Sequence, residues 1–235
     1  MKAMIFAAGR GERMRPLTDT MPKPLLKVRG RPLIEWHIVN LVRAGITEIV
    51  INHSHLGHML EEYLGDGSRF GAQIRYSAEP EPLETAGGIA KARHLLGEEP
   101  FLAISGDIYC PHFDFEQVKD VLHDKDVLGN TYDKDKRDAA WIWLTKNPWH
   151  NPKGDFGLNM YSVSNDGEPK WNFGNIGVYR MEMFNGIEPG QHAGLGKLIR
   201  AYADKGQVGG EIYEGEWVNV GTVKQLEELN AIMNA

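Results

Sequence analysis

Glycine and arginine alternate over residues 6–18, which have the sequence Phe-Ala-Ala-Gly-Arg-Gly-Glu-Arg-Met-Arg-Pro-Leu-Thr. Glycine lets the backbone approach a phosphate closely and adopt positive φ angles. Exposed backbone amides and the guanidinium of Arg13 would then donate hydrogen bonds to phosphate oxygens. We therefore predict a loop that holds the phosphates of a nucleotide through Ala8, Gly9, Gly11 and Arg13.

The charge distribution supports a small anionic ligand. Residues 10–31 contain seven basic side chains and two acidic ones, whereas the whole chain has a formal net charge of −6. An acidic chain repels a polyanion, so we do not expect a nucleic-acid partner. A solvated basic surface is the alternative interpretation of this cluster. The interleaved glycines favour a phosphate site.

Two common phosphate-binding motifs are excluded by the spacing. A Walker loop requires Gly-Lys followed by Ser or Thr, and the dinucleotide fingerprint requires a third glycine where this chain has Met14. An NAD-dependent dehydrogenase therefore fits poorly.

The elements that would position this loop alternate between strand and helix. Apolar runs predict strands at residues 1–8, 46–52 and 101–104, and the pattern of residues 74–77 predicts another strand. Helical periodicity predicts helices at 32–44, 55–64 and 85–96. This alternation predicts an α/β fold with a doubly wound, mostly parallel or mixed sheet. Ligands of such sheets bind beyond the carboxyl ends of the strands.

The second half of the chain has a less regular pattern. It predicts helices at residues 118–123, 195–205 and 223–233, strands at 139–145, 176–181 and 217–220, and a loop at 146–155. A chain of 235 residues can bury one substantial core. We expect a single domain over residues 1–235, with a first half (about 1–110) that carries the predicted nucleotide-binding loop and a second half (about 111–235).

The sequence also bears on compartment and assembly. Cys110 is the only cysteine, which excludes an internal disulfide, and the chain has neither a signal-peptide pattern nor a long apolar span. These features predict a cytoplasmic protein that does not enter a membrane. The sequence allows a monomer or a small homo-oligomer.

A second motif follows the glycine-rich loop. Residues 21–25 are Met-Pro-Lys-Pro-Leu, and with the loop they resemble the signature of the sugar-1-phosphate nucleotidylyltransferase family. The resemblance implies a fold of the nucleotide-diphospho-sugar transferase type. It also implies that Lys23 reaches the α-phosphate and the sugar phosphate, with Arg13, Lys23 and Asp107 as catalytic residues. A surface lysine is the alternative for Lys23.

The resemblance extends to a metal site. Ser105-Gly-Asp107 matches the strand-end aspartate with which the family binds Mg²⁺, and residues 217–222, Trp-Val-Asn-Val-Gly-Thr, match a later motif that carries a second aspartate. Asn219 replaces that aspartate here. An asparagine carbonyl still offers the hard oxygen that Mg²⁺ prefers, although with less charge. We therefore expect Mg²⁺ as cofactor, bound by Asp107 and Asn219.

In this family the segment after the third strand contacts the base. Here that segment, residues 79–88, has the sequence Glu-Pro-Glu-Pro-Leu-Glu-Thr-Ala-Gly-Gly. The resemblance implies nucleotide contacts for Glu79, Glu84 and Gly88, and the motif Ile51-Asn-His implies one for Asn52.

These motifs, with Gly154-Asp-Phe, are most similar to the N-acetylmuramate 1-phosphate uridylyltransferases of peptidoglycan recycling. The resemblance implies transfer of UMP from UTP to a sugar 1-phosphate, with release of pyrophosphate. It places Asn147, Asp155, Lys170 and Gly177 in the sugar pocket.

Two other functions remain open at this point. One is another member of the family, such as a mannose-1-phosphate guanylyltransferase or a glucose-1-phosphate thymidylyltransferase. The other is an inactive nucleotide-binding regulatory homologue, which only Asn219 supports.

Overall fold

A mixed sheet of nine strands forms the centre of the molecule in the computed structural model, which describes residues 1–122 and 138–231. The strands are Ala3–Ala7 (β1), Lys27–Val28 (β2), Arg31–Pro32 (β3), Glu48–His53 (β4), Gln73–Ala78 (β5), Phe101–Ser105 (β6), Ile108–Tyr109 (β7), Ala140–Thr145 (β8), Phe156–Asn159 (β9), Ser162–Ser164 (β10), Lys170–Tyr179 (β11), Val208–Ile212 (β12) and Val218–Asn219 (β13). The helices are Leu17–Thr20 (α1), Leu33–Arg43 (α2), Gly57–Leu64 (α3), Glu84–Leu96 (α4), Leu195–Ala203 (α5) and Val223–Ala231 (α6).

Four parallel strands make up one side of the sheet, in the order β5-β4-β1-β6. Met4 and Ile5 of β1 are both fully buried although they face opposite sides of the sheet. Burial on both faces explains the continuous apolar run that predicted this strand. The carboxyl ends of β1, β4 and β6 therefore meet at one edge, where the ligand site was expected.

The other side of the sheet is mixed, because β11 runs antiparallel to both β6 and β8. The sheet continues through β12, which is parallel to β8, to the hairpin of β10 and β9. The register of β11 on β8 shifts between Phe173 and Ile176, where Asn175 has a φ of 57°. One sheet thus runs through both halves of the chain, and the predicted α/β fold with a mixed sheet is confirmed.

Apolar side chains cover both faces of the sheet. On one face Ile5 and Ile51 pack in a cluster with Ile38 of α2. On the other face Met4 packs in a cluster with Ile89 of α4 and Ile199 of α5. Helices on both faces make the sheet doubly wound.

The structure differs from the sequence prediction in the second half of the chain. Strands β9, β10 and β12 were not predicted, and β11 begins at Lys170 rather than at residue 176. The predicted helix over residues 118–123 is wrong over its described part, which holds only a 3-10 turn at Gln117–Lys119. Residue 123 and the end of the predicted helix over 223–233 lie outside the described residues. Within residues 1–122 and 138–231, no helix has the length and apolar character needed to span a bilayer.

Candidate active site

A cavity of about 510 Å³ opens at the carboxyl ends of β1, β4 and β6. Its lining includes the predicted contacts Ala8, Gly9, Gly11, Arg13, Lys23, Asn52, Glu84 and Asp107. Eight positions chosen from separate motifs therefore come together around one cavity, whose volume suits a nucleotide-sized ligand.

The two glycines of the glycine-rich loop have different surroundings. Gly11 has a φ of 70°, and a Cβ placed there would lie 3.0 Å from Cγ2 of Thr18. The Thr18 hydroxyl donates a hydrogen bond to the Gly11 carbonyl at 2.9 Å. Nothing lies within 4 Å of a Cβ placed on Gly9. Gly11 is thus needed for the fold of the loop, whereas Gly9 leaves open space for a ligand.

Lys23 and Asp107 form an ion pair, with Lys23 Nζ and Asp107 Oδ2 2.6 Å apart. The 3-10 turn Lys23–Leu25 holds the lysine backbone, and Pro22 and Pro24 restrict the chain on either side of it. The Lys23 side chain is only 10% exposed and that of Asp107 is 31% exposed. A surface role for Lys23 is therefore excluded, and its ammonium group faces the cavity beside a carboxylate.

Asn219 lies next to Asp107 because two short strands pair. Strand β13 places Asn219 opposite Ile108 of β7, and the Val220 amide donates to the Asp107 carbonyl at 2.9 Å. Asn219 Oδ1 is buried and accepts no hydrogen bond within the described part of the chain. A buried side-chain oxygen without a donor fits a hard divalent cation such as Mg²⁺. Asn219 does not itself line the cavity, whereas Asp107 does.

Protein ligands for such a cation are few. Across residues 1–122 and 138–231, no group of three or more His, Cys, Asp or Glu side chains could hold a metal ion. Mg²⁺ characteristically keeps several waters and binds through one or two carboxylates plus substrate phosphates. Asp107 and Asn219 are consistent with a site that phosphate oxygens complete.

Arg13 approaches the motif near the opposite end of the chain. Its Nη2 atom would lie 3.1 Å from a Cβ placed on Gly221, and both residues line the cavity. Gly221 was not among the predicted contacts, although it lies in the motif at residues 217–222. Thr85, Pro82 and Glu12 also line the cavity without having been predicted.

The residues predicted to contact the base occupy different positions. Glu84 is exposed, has a φ of 60° and lines the cavity, and Asn52 lines it as well although the side chain is buried. Glu79 is 3% exposed and does not line the cavity. Gly88 lies inside α4, where a Cβ would come within 2.8 Å of Asn52 Nδ2. Glu79 and Gly88 therefore do not line the cavity themselves but lie against Asn52, which does.

Three of the four residues predicted for the sugar pocket come together. Asn147 Nδ2 donates to the Lys170 carbonyl at 2.9 Å, and the Asp155 carboxylate accepts the Phe173 amide at 2.8 Å. Because β11 is antiparallel to β6, its residues before Ile176 extend past the carboxyl end of β6, at the cavity edge of the sheet. Gly177 lies apart, paired with Ala103 within the sheet. None of the four lines the cavity itself.

A glycine-rich loop, a lysine and a carboxylate at the carboxyl edge of parallel strands define a nucleotide-binding α/β protein equipped for phosphoryl-group transfer. The nucleotidyl transferase family model matches residues 2–138. The chain belongs to this family and is a nucleotidyltransferase.

The relatives agree with this assignment. The chain is 47% identical over 239 aligned residues to the N-acetylmuramate alpha-1-phosphate uridylyltransferase of Neisseria meningitidis, with 100% of this chain and 99% of the relative covered. It is 41% identical over 121 residues to mannose-1-phosphate guanyltransferase beta-B of Xenopus laevis, an alignment that covers 50% of this chain and 33% of the relative.

Two solved structures share the fold. A candidate glucose-1-phosphate thymidylyltransferase from Bacillus anthracis, solved with sucrose, superposes with a TM-score of 0.82 at 21% identity and covers 99% of this chain and 94% of its own. A UDP-glucose pyrophosphorylase in complex with UDP-glucose superposes with a TM-score of 0.75 at 17% identity, covering 100% and 98%.

Proposed function

We propose that this protein transfers UMP from UTP to N-acetylmuramate α-1-phosphate and releases pyrophosphate, as a step in peptidoglycan recycling. The observation that carries the proposal is the full-length 47% identity to a uridylyltransferase of that substrate, on a chain whose Lys23 and Asp107 meet at the cavity. In keeping with the sequence, we place the protein in the cytoplasm, as a monomer or small homo-oligomer.

The reaction requires little proton transfer by the protein. A sugar phosphate oxygen, already ionised near neutral pH, attacks the α-phosphorus of UTP in line with the leaving pyrophosphate. Positioning and neutralisation of charge then supply most of the rate enhancement. Amides of the loop at Gly9 and Gly11 would hold the triphosphate, while Lys23 and Arg13 would stabilise the charge that develops on its oxygens.

Mg²⁺ is part of the proposal. Asp107 and Asn219 would hold it, and when bound it would neutralise phosphate charge beside Lys23. The buried, unpartnered Oδ1 of Asn219 supports this assignment within the described residues.

The sugar would lie at the corner where the loop of residues 146–155 meets the start of β11. There Asn147 donates to the Lys170 carbonyl, and the Asp155 carboxylate accepts the amide of Phe173, three residues further along β11. Gly177 would contribute indirectly, because a Cβ at that position would lie 2.4 Å from the hydroxyl of Tyr179. It would leave room for the Tyr179 ring on the same strand rather than contact the ligand.

Pyrophosphate release over a grid of substrates tests the proposal. UTP, dTTP, GTP and CTP are each combined with N-acetylmuramate, glucose, N-acetylglucosamine and mannose 1-phosphates, with Mg²⁺ and with excess EDTA. We expect the highest kcat/KM for UTP with N-acetylmuramate 1-phosphate and no turnover in EDTA. Turnover of GTP with mannose 1-phosphate but not of UTP would refute the proposal.

The inactive homologue is tested in the same assay with an Asn219→Asp variant. The proposal requires the wild-type protein to convert UTP and N-acetylmuramate 1-phosphate. A wild-type protein that is inactive with every pair, beside an active Asn219→Asp variant, would show that Asn219 disables the site.

A further inference from the structure

Glu79 carries a buried carboxylate whose two oxygens both have protein partners. Oε1 accepts a hydrogen bond from Asn52 Nδ2 at 2.8 Å, and Oε2 accepts one from the Leu83 amide at 2.9 Å. A buried carboxylate is costly unless it is hydrogen-bonded, so these contacts are strongly favoured. Glu79 is therefore engaged within the protein and does not line the cavity.

Asn52 extends this arrangement to the strand that carries the phosphate loop. Its Oδ1 accepts the Ala7 amide at 3.0 Å, while its Nδ2 donates to Glu79. A continuous chain of hydrogen bonds thus runs from Ala7 through two buried side chains to Leu83. Ala7 is the last residue of β1 and lines the cavity. Leu83 lies between Pro82 and Glu84, which line it as well.

Gly88 leaves the space that the two side chains occupy. A Cβ at this position would lie 2.8 Å from Asn52 Nδ2 and 2.9 Å from Glu79 Oε1. Contacts this short force a rearrangement, and α4 packs directly on β4, which carries Asn52. The backbone of α4 therefore confines Asn52 and Glu79 to their observed positions.

We propose that Glu79 is a positioning residue that sets the width of the nucleotide site and thereby the discrimination between bases. It acts through Asn52 and the Leu83 amide and does not contact the base. Ala7 and Leu83 are held at a fixed separation, so the cavity walls beside them meet the hydrogen-bonding edge of the base at fixed positions. Uracil and cytosine have the same ring size but differ in that edge, where an acceptor in one replaces a donor in the other. This inference rests on the proposed function for the choice of UTP as the test ligand.

The polarity of the hydrogen bonds provides the test. In a Glu79→Gln variant the new side chain must place its NH₂ group against either Asn52 Nδ2 or the Leu83 amide. Two hydrogen-bond donors then face each other, and one hydrogen bond is lost. In an Asn52→Asp variant two carboxylates face each other. In the double variant, the carboxylate at position 52 accepts from the Ala7 amide and from the NH₂ group at position 79, whose amide oxygen accepts from Leu83. Every hydrogen bond is then restored, with the direction between the two side chains reversed.

The experiment measures KM and kcat for UTP, the ratio of kcat/KM for UTP and CTP, and the melting temperature. We expect each single variant to raise the KM for UTP about tenfold, since one unsatisfied buried group costs on the order of 1–3 kcal/mol, and to lower the UTP/CTP ratio. We expect kcat to change less than KM. The double variant should return KM and the UTP/CTP ratio to within about threefold of wild type, a difference of under ~1 kcal/mol.

Glu81→Gln is the matched control, because Glu81 undergoes the same chemical change two residues away at an exposed position. It should leave KM, the UTP/CTP ratio and the melting temperature unchanged.

Three results would overturn the inference: a Glu79→Gln variant with wild-type KM, a double variant that keeps the raised KM of Glu79→Gln, or a double variant that does not fold. If a single variant does not fold, a folded double variant with wild-type KM still supports it. If the wild-type protein uses another nucleotide, the proposed function fails. The wild type, the two single variants and the double variant are then compared with that nucleotide. The return of KM towards the wild-type value in the double variant remains the criterion.

Discussion

Lys23 is the residue on which the proposed chemistry depends most directly. It has no role in the apolar core, and its ammonium group lies 2.6 Å from Asp107 at the cavity. Lys23→Ala should lower kcat by a factor of about 10²–10³, the effect of removing one preorganised charge-stabilising donor. Pyrophosphate release measures this, and far-UV circular dichroism with thermal unfolding shows whether the fold is retained.

Lys27→Ala is the control for Lys23, because Lys27 is exposed on β2 only four residues further along. It should leave kcat unchanged. A Lys23→Ala variant that releases pyrophosphate at close to the wild-type rate would remove Lys23 from the mechanism.

His37 behind Asp107 should make stability depend on pH. Burial in α2 lowers its pKa from 6.5 to about 4, against smaller opposing effects of a hydrogen bond to the Ile108 backbone and of the Asp107 charge. Between these two pH values the unfolded chain binds the proton more readily, so stability falls as pH drops from 6.5 towards 4. The slope is at most about 1.4 kcal/mol per pH unit.

Urea unfolding of the wild-type protein and of His37→Gln at pH 7.5, 6.0 and 5.0 measures this contribution. Because other groups also titrate in this range, the informative quantity is the difference between the two proteins. We expect the free energy of unfolding of wild type, relative to the variant, to decline as the pH falls. A constant difference would show that His37 titrates normally.

The sequence predicted some of these residues and not others, for physical reasons. Lys23, Asp107 and Asn219 belong to local motifs. Lys23 and Asp107 line the cavity, and Asn219 lies beside it on β13, opposite the residue that follows Asp107. The orientation of Glu79 could not be predicted, because its partner Asn52 becomes a neighbour only when β4 and β5 pair. His37 carries no motif, and its burial depends on the packing of α2 against β7.

At the scale of elements, strands β1 and β6 were predicted from nearly continuous apolar runs. Strand β12 was missed because adjacent glycines, Gly209 and Gly210, disfavour a strand in isolation. The fold requires them: a Cβ on Gly209 would lie 2.4 Å from the Trp141 ring, and one on Gly210 would lie 2.5 Å from the Ile142 carbonyl oxygen. Close packing on β8 thus outweighs local propensity.

The start of α4 depends on a contact between the two halves of the chain. The amides of Ala86 and Gly87 both donate to the Ala193 carbonyl, at 2.8 and 3.0 Å. A Cβ on Gly87 would lie 2.2 Å from the Gln191 carbonyl oxygen. The segment before α5 therefore supports the wall that carries Glu84.

Gly87→Ala should push the start of α4 away from the segment before α5. We expect it to destabilise the protein by about 1–3 kcal/mol, as overpacking typically does. The KM for the nucleotide should rise with it, because Glu84 and Thr85 line the cavity. Urea unfolding and steady-state kinetics measure the two effects.

Gly196→Ala provides the matched substitution, since this exposed glycine in α5 has nothing within 4 Å of the place that a Cβ would occupy. It should stabilise the protein by about 0.5–1 kcal/mol, the gain from replacing glycine within a helix. Equal effects of the two substitutions would contradict the proposed role of Gly87.

At the scale of the whole molecule, the end of the chain closes over the phosphate loop. Met14 of the loop is fully buried in a cluster with Val220 and with Leu226 and Leu229 of α6. Strands β7 and β13 bring Asp107 and Asn219 together at the same place. The nucleotide site is thus held by residues from both ends of the chain, so its formation should be coupled to folding of the entire sheet.

Cys110 can report on this coupling. It follows β7, is 2% exposed and is the only cysteine, and burial raises the pKa of its thiol well above the usual range. A thiol reagent such as DTNB should therefore label the native protein only when it opens.

If opening requires global unfolding, UTP with Mg²⁺ at 100 times Kd should slow labelling about 100-fold, equivalent to about 2.7 kcal/mol of stabilisation. The urea dependence of labelling should then match that of equilibrium unfolding. Protein held in concentrated urea serves as the control, because nucleotide should not change its labelling rate. If UTP with Mg²⁺ does not change the labelling rate of the native protein, β7 opens locally. Asp107 can then move without loss of the nucleotide site.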